Sequence, residues 1–86
     1  MKITVTKEDI ENGIRSSNKF CPIALALKRA GYKDAIVRTI EFLYDCGNAG
    51  CNLPLEAQKF IYSFDVGKPV KPFTFSIEDT LVTYGG

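Results

Sequence analysis

Two segments of this chain open at a proline and close at a glycine, and together they limit most of what it can fold into. In the first, Pro22 suits the first position of a helix, where its missing N–H is not needed. Ile23, Ala26, Leu27 and Ala30 follow at the i, i+3, i+4, i+7 spacing of a buried stripe, and Gly31 is a natural stop. Lys28 and Arg29 fall in the last turn, where the helix dipole favours cations. In the second, Pro54 opens a helix whose stripe is Ala57, Phe60, Ile61 and Phe64, and Gly67 ends it. Two amphipathic helices need an apolar surface to lie on.

The remaining segments predict that surface to be a sheet. Ile3 and Val5 alternate with Lys2, Thr4 and Thr6, the pattern of a half-buried strand. Thr6-Lys7-Glu8-Asp9 is close to a capping box, with Asp9 where Glu or Gln is usual. It predicts a short helix to about Ile14, with Ile10 and Ile14 facing inward and Gly13 weakening its end. Residues 35–44 are rich in β-branched and aromatic types and read as one long strand. Residues 47–50 turn the chain. Pro69 and Pro72 hold residues 68–72 extended, and 73–77 alternate as another strand. A short strand around Leu81 and Val82, or a frayed end, completes the reading. The order β-α-α-β-α-β predicts an α+β fold in a single domain, residues 1–86: a small three- to four-stranded sheet with three helices. So small a sheet leaves a face or an edge uncovered, and a homo-oligomer is expected to cover it.

Composition excludes several functions. A chain of 86 residues suffices for one core but hardly for a deep pocket. No apolar run is long enough to span a membrane, and the first residues lack the apolar stretch of a signal peptide. A soluble, cytoplasmic protein is therefore expected. The chain has no histidine, which removes the commonest general base and every imidazole metal site. Its three cysteines, Cys21, Cys46 and Cys51, are too few and too odd in number for a disulfide framework. Cys46 and Cys51 flank a glycine-rich turn and could come close. Zinc would need Cys21 and a fourth ligand such as Asp45, in a spacing looser than zinc sites usually show, and small buried hydrophobes is the simpler reading. Cys21, at a helix start, would have a stabilised thiolate but no histidine to take its proton. No catalytic residue, metal or cofactor is therefore expected.

The net charge of +1 conceals a polarity. Residues 1–40 carry eight cations against four acids, and residues 41–86 three against six. The basic half is either a solvated surface or a local field for an anion. Arg15, Ser16, Ser17, Asn18 and Lys19 precede the helix start at Pro22, where free N–H groups attract phosphate, although Ser17 or Asn18 can equally serve as its cap. Lys68 and Lys71 stand on a proline-stiffened segment. Arg38 sits among apolar neighbours and needs either an acid such as Glu78 or a ligand. The candidate ligand-binding residues are thus Arg15, Ser17, Lys19, Lys28, Arg29, Arg38, Lys68 and Lys71. There is no phosphate-loop or dinucleotide fingerprint, and no nucleic-acid motif; Tyr32, Tyr44 and Tyr62 are too scattered to form a base-stacking platform.

Three stretches, 21–30 (CPIALALKRA), 53–61 (LPLEAQKFI) and 64–75 (FDVGKPVKPFTF), resemble a widespread group of small uncharacterised proteins encoded by bacteriophages. The resemblance spans most of the chain and brings no catalytic residues with it. It implies a non-enzymatic protein that acts on host machinery by binding. One mode is sequestration of a phosphate-bearing nucleotide immune signal, such as a cyclic oligonucleotide, as phage sponge proteins do. That ligand would need Arg or Lys for its phosphates and an aromatic face for its base, at an oligomer interface. The alternative is a protein–protein inhibitor of a host defence or host-takeover target, working through an exposed apolar patch.

Overall fold

A computed structural model of the chain describes residues 2–77 and 82–83. Strand β1 (Lys2–Val5) buries Ile3 and Val5 and exposes its alternate residues. It runs into helix α1 (Lys7–Asn12) through the capping box. There Asp9 N–H donates to Thr6 Oγ1 at 3.2 Å, and Thr6 N–H to Asp9 Oδ2 at 2.9 Å. The helix stops earlier than expected. A Cβ at Gly13 would lie 2.6 Å from the Pro22 ring, so this glycine permits a close approach of the next helix. Ile14 consequently falls outside the helix and is exposed, not inward-facing, and its N–H donates to the Phe20 carbonyl at 2.8 Å.

The two proline-to-glycine segments form the helices their stripes predict, α2 (Pro22–Arg29) and α3 (Leu55–Asp65). Gly31 and Gly67 have φ of +108° and +84°. Such left-handed backbone favours glycine where a helix is left behind.

The sheets depart from the expected outline. Residues 35–44 are not one strand. They form β2 (Ile36–Val37) and β3 (Glu41–Tyr44), an antiparallel hairpin in which Val37 faces Phe42. The reversal is closed by Arg38 N–H donating to the Glu41 carbonyl at 2.7 Å. A straight strand would have put Ile36, Arg38, Ile40, Phe42 and Tyr44 on one face. The hairpin instead buries Val37 and Phe42 together and leaves Arg38, Thr39 and Ile40 in solvent. The expected turn at 47–50 is also half strand: β4 (Ala49–Asn52) pairs with β3, placing Cys51 opposite Phe42. The turn proper lies just before it, with Asp45 and Cys46 in left-handed backbone. Two further strands, β5 (Phe73–Ser76) and β6 (Val82–Thr83), complete a two-stranded sheet, β1-β5, and a four-stranded one, β2-β3-β4-β6. The α+β class and three helices stand among the described residues, with more strands than the order β-α-α-β-α-β allows. Of the expected tail strand, Val82 is in β6, whereas Leu81 lies outside the described residues, as does Glu78.

Ile3, Val5, Ile23, Leu27, Phe42 and Phe75 are the large side chains at the centre of the core. Burying each contributes about 1.5–3 kcal/mol. Rings finish the core at both ends: Tyr32 meets Phe42 and Tyr44 edge-on, and Phe73 stacks between Phe60 and Phe75. Tyr32 and Tyr44, which look like scattered aromatics in the sequence, are thus packing residues.

Candidate functional site

The hairpin turn, the segment before α2 and the outer side of α3 enclose a cleft of about 250 Å³. One wall carries Ser17, Asn18, Val37, Arg38 and Thr39; the other is α3, with Gln58, Ile61, Tyr62 and Asp65. Two hydrogen bonds set the first wall: Val37 N–H donates to the Asn18 carbonyl at 2.8 Å, and Ser17 Oγ accepts from Phe20 N–H at 3.1 Å. A third ties the walls together, as Ser16 N–H donates to Asp65 Oδ1 at 2.9 Å.

Arg38 is the cation that lines this cleft. Its side chain is 60% exposed, and the Glu41 carboxylate is 4.0 Å away. So loose a surface pair contributes little. Tyr62 is 63% exposed and offers a ring to solvent. Lys68 Nζ lies 5.7 Å from the centre of that ring, within cation–π reach. The Arg15 guanidinium lies against Gly67, just beyond the α3 end, 3.4 Å from where a Cβ would stand. Two of the eight candidate residues, Ser17 and Arg38, thus line one cleft, and Lys68 flanks it beside Tyr62.

The others disperse. Lys19 and Lys28 border a second cleft of about 410 Å³ with Phe20, Asp34, Ala35, Ile36 and Cys46. There Lys28 Nζ donates to the Lys19 carbonyl and lies 4.5 Å over the Phe20 ring. Arg29 is committed to the scaffold. It donates to both oxygens of Asp9, at 2.7 and 2.8 Å, and to the Thr4 carbonyl at 2.8 Å. Such a two-pronged charged pair is strong and fixes orientation. Lys71 is exposed on the segment leading to β5.

The start of α2 is not the open anion site that its position implies. Neither Ser17 nor Asn18 caps it. Cys21 does, with Sγ accepting from Ala24 N–H at 3.4 Å, and Pro22, Ile23 and Ala24 are buried around it. Nor is its thiolate stabilised overall: burial pushes the Cys21 thiol up and outweighs the lowering by the N–H groups of Ala24 and Ile23. Cys46 and Cys51 do not form a pair. Cys51 is buried in β4, while Cys46 is exposed and donates to Asp34 Oδ2 at 3.5 Å. Among the described residues no three His, Cys, Asp or Glu are grouped to hold a metal, and no helix is long and apolar enough to cross a membrane.

Sequence reasoning misses Thr39, Gln58 and Asp65 as site residues. Thr39 reads as mid-strand, and only the hairpin places it at a tip. Gln58, Tyr62 and Asp65 lie off the apolar stripe of α3, and their spacing is the available signal of a shared second face. No protein-family model, curated protein or solved structure matches this chain.

Proposed function

We propose that this chain is a non-enzymatic binding protein that sequesters a phosphate-bearing nucleotide signal, and that the Arg38 cleft is its half of the site. The observation that carries this reading is the pairing of Ser17 and Arg38 on one wall with the exposed Tyr62 ring on the other. Arg38 and the Ser17 hydroxyl supply charge and a donor for phosphate, and Tyr62 a face for a base. Lys68 adds positive charge beside the Tyr62 ring. The cleft volume of about 250 Å³ is small for enclosing such a ligand. Sites that bury most of a ligand are usually larger, which favours a second copy completing this one. Binding is preferred over turnover because the chain has no histidine, and the thiol that lines the cleft, Cys21, is buried and held protonated.

Calorimetric titration with mononucleotides and with cyclic di- and trinucleotides tests the proposal, with light scattering to follow subunit number. Saturable heat with at least one of them, and recovery of the ligand unchanged, is expected. Absence of heat with all of them refutes it.

One observation favours the second reading, inhibition of a host protein. Leu55 and Tyr62 on α3 and Val66 at its C-cap form an exposed stripe, with Ile40 exposed on the hairpin tip. Such a stripe suits an apolar partner surface. Leu55→Ala would then weaken the complex and leave nucleotide binding intact.

A further inference from the structure

Resting on that reading, we infer that the cleft selects a guanine base, through Asp65. A carboxylate is misplaced in a site for phosphate alone, since it repels the ligand. Its position makes sense if the α3 wall reads the base and the opposite wall holds the phosphate. The wall of Ser17, Asn18, Arg38 and Thr39 is rich in donors, while α3 presents acceptors. Asp65 Oδ1 accepts the Ser16 N–H and keeps a second lone pair, so both carboxylate oxygens can still accept. Gln58 donates one of its two amide N–H groups to the Leu53 carbonyl at 2.9 Å, and its carbonyl oxygen remains an acceptor. The Tyr62 ring shares this wall with both.

A planar base stacked on Tyr62 therefore meets acceptors at its edge. Guanine alone among the common bases presents two adjacent donors there, the ring N1–H and the 2-amino group, which one carboxylate accepts together. Adenine offers one amino group beside an acceptor nitrogen, which Asp65 would repel. Uracil offers a single N–H flanked by carbonyls.

The test is titration of the full chain with GMP and with AMP, beside the variant Asp65→Asn. Asn can still accept the Ser16 N–H, so the wall is retained, and a thermal melt checks that the variant folds. GMP is expected to bind at least roughly tenfold tighter than AMP, the scale of losing a hydrogen bond to a charged group. In Asp65→Asn that preference should collapse while binding to the phosphate wall persists. Equal affinity for GMP and AMP overturns the guanine assignment and leaves the nucleotide reading standing. So does a GMP preference that Asp65→Asn does not change. No binding of any nucleotide overturns both.

Discussion

Arg29 grips Asp9 at two points, 2.7 and 2.8 Å, and reaches past it to the Thr4 carbonyl. One guanidinium thereby joins α2 to the start of α1 and to β1. Asp9, whose side chain is only 5% exposed, takes part in both this pair and the capping box. A cation that the charge pattern offers to a ligand is spent on holding the fold.

Arg29→Ala should therefore destabilise the protein by about 2 kcal/mol, because it leaves Asp9 buried without its charge partner. Chemical denaturation measures this. Nucleotide binding by the folded fraction should be unchanged, whereas Arg38→Ala should weaken it about tenfold or more without altering stability. A loss of binding in folded Arg29→Ala equal to that in Arg38→Ala would contradict the assignment of the site.

Asp9 also sets a pH dependence. Burial pushes its carboxyl up, but the Arg29 guanidinium and the Thr6 N–H and hydroxyl together outweigh burial and hold it below the ordinary value. A lowered folded-state value contributes stability that is present above the unfolded carboxylate value of about 4 and lost as pH falls through the folded one. Asp9→Asn should lower stability near neutrality and flatten its decline below about pH 4. Parallel acid unfolding curves for the two proteins would refute this.

The cysteines should separate by reactivity. In the native protein only Cys46 should react readily with a thiol reagent, and Cys21 and Cys51 only after denaturation. The Asp34 carboxylate, which accepts from Cys46 Sγ and adds its own negative charge, pushes that thiol above its ordinary value. Asp34→Asn should shift the pH profile of Cys46 alkylation downward and speed the reaction in mildly alkaline buffer. Asp34 has φ of +58°. Asparagine tolerates such left-handed backbone, so the loop is kept. Peptide mapping by mass spectrometry after timed alkylation reads both results.

Glycine substitutions should rank against the usual expectation. Gly13 has an ordinary φ of −69°. Gly13→Ala nevertheless drives a methyl into the Pro22 ring and the Asp9 carbonyl. Overpacking of that kind should cost about 2–3 kcal/mol. Gly31→Ala meets nothing within 4 Å and bears only the strain of φ +108°. That strain is about 1–2 kcal/mol. Thermal melts that put Gly31→Ala below Gly13→Ala would refute the close approach of α1 and α2.

Much of the secondary structure is legible in the chain because its causes are local. Stripes at helical period, a capping pair three residues apart, and prolines and glycines at helix ends all act between near neighbours. So α1, α2 and α3 can be read as helices, and β1 and β5 as strands. The rest turns on choices between alternatives of similar local cost, which distant contacts resolve. Residues 35–44 have the propensity for one strand. They fold back at Arg38 because the hairpin buries Val37 and Phe42 in one core, a gain that exists only once α2 and β4 are in place. The same reversal lifts Arg38 and Thr39 to the rim of a cleft facing α3. Charge is legible as a count, but its use is not. Arg29 and Arg38 look alike in the chain, and only the position of buried Asp9 makes one a strut while the other stays exposed on the hairpin.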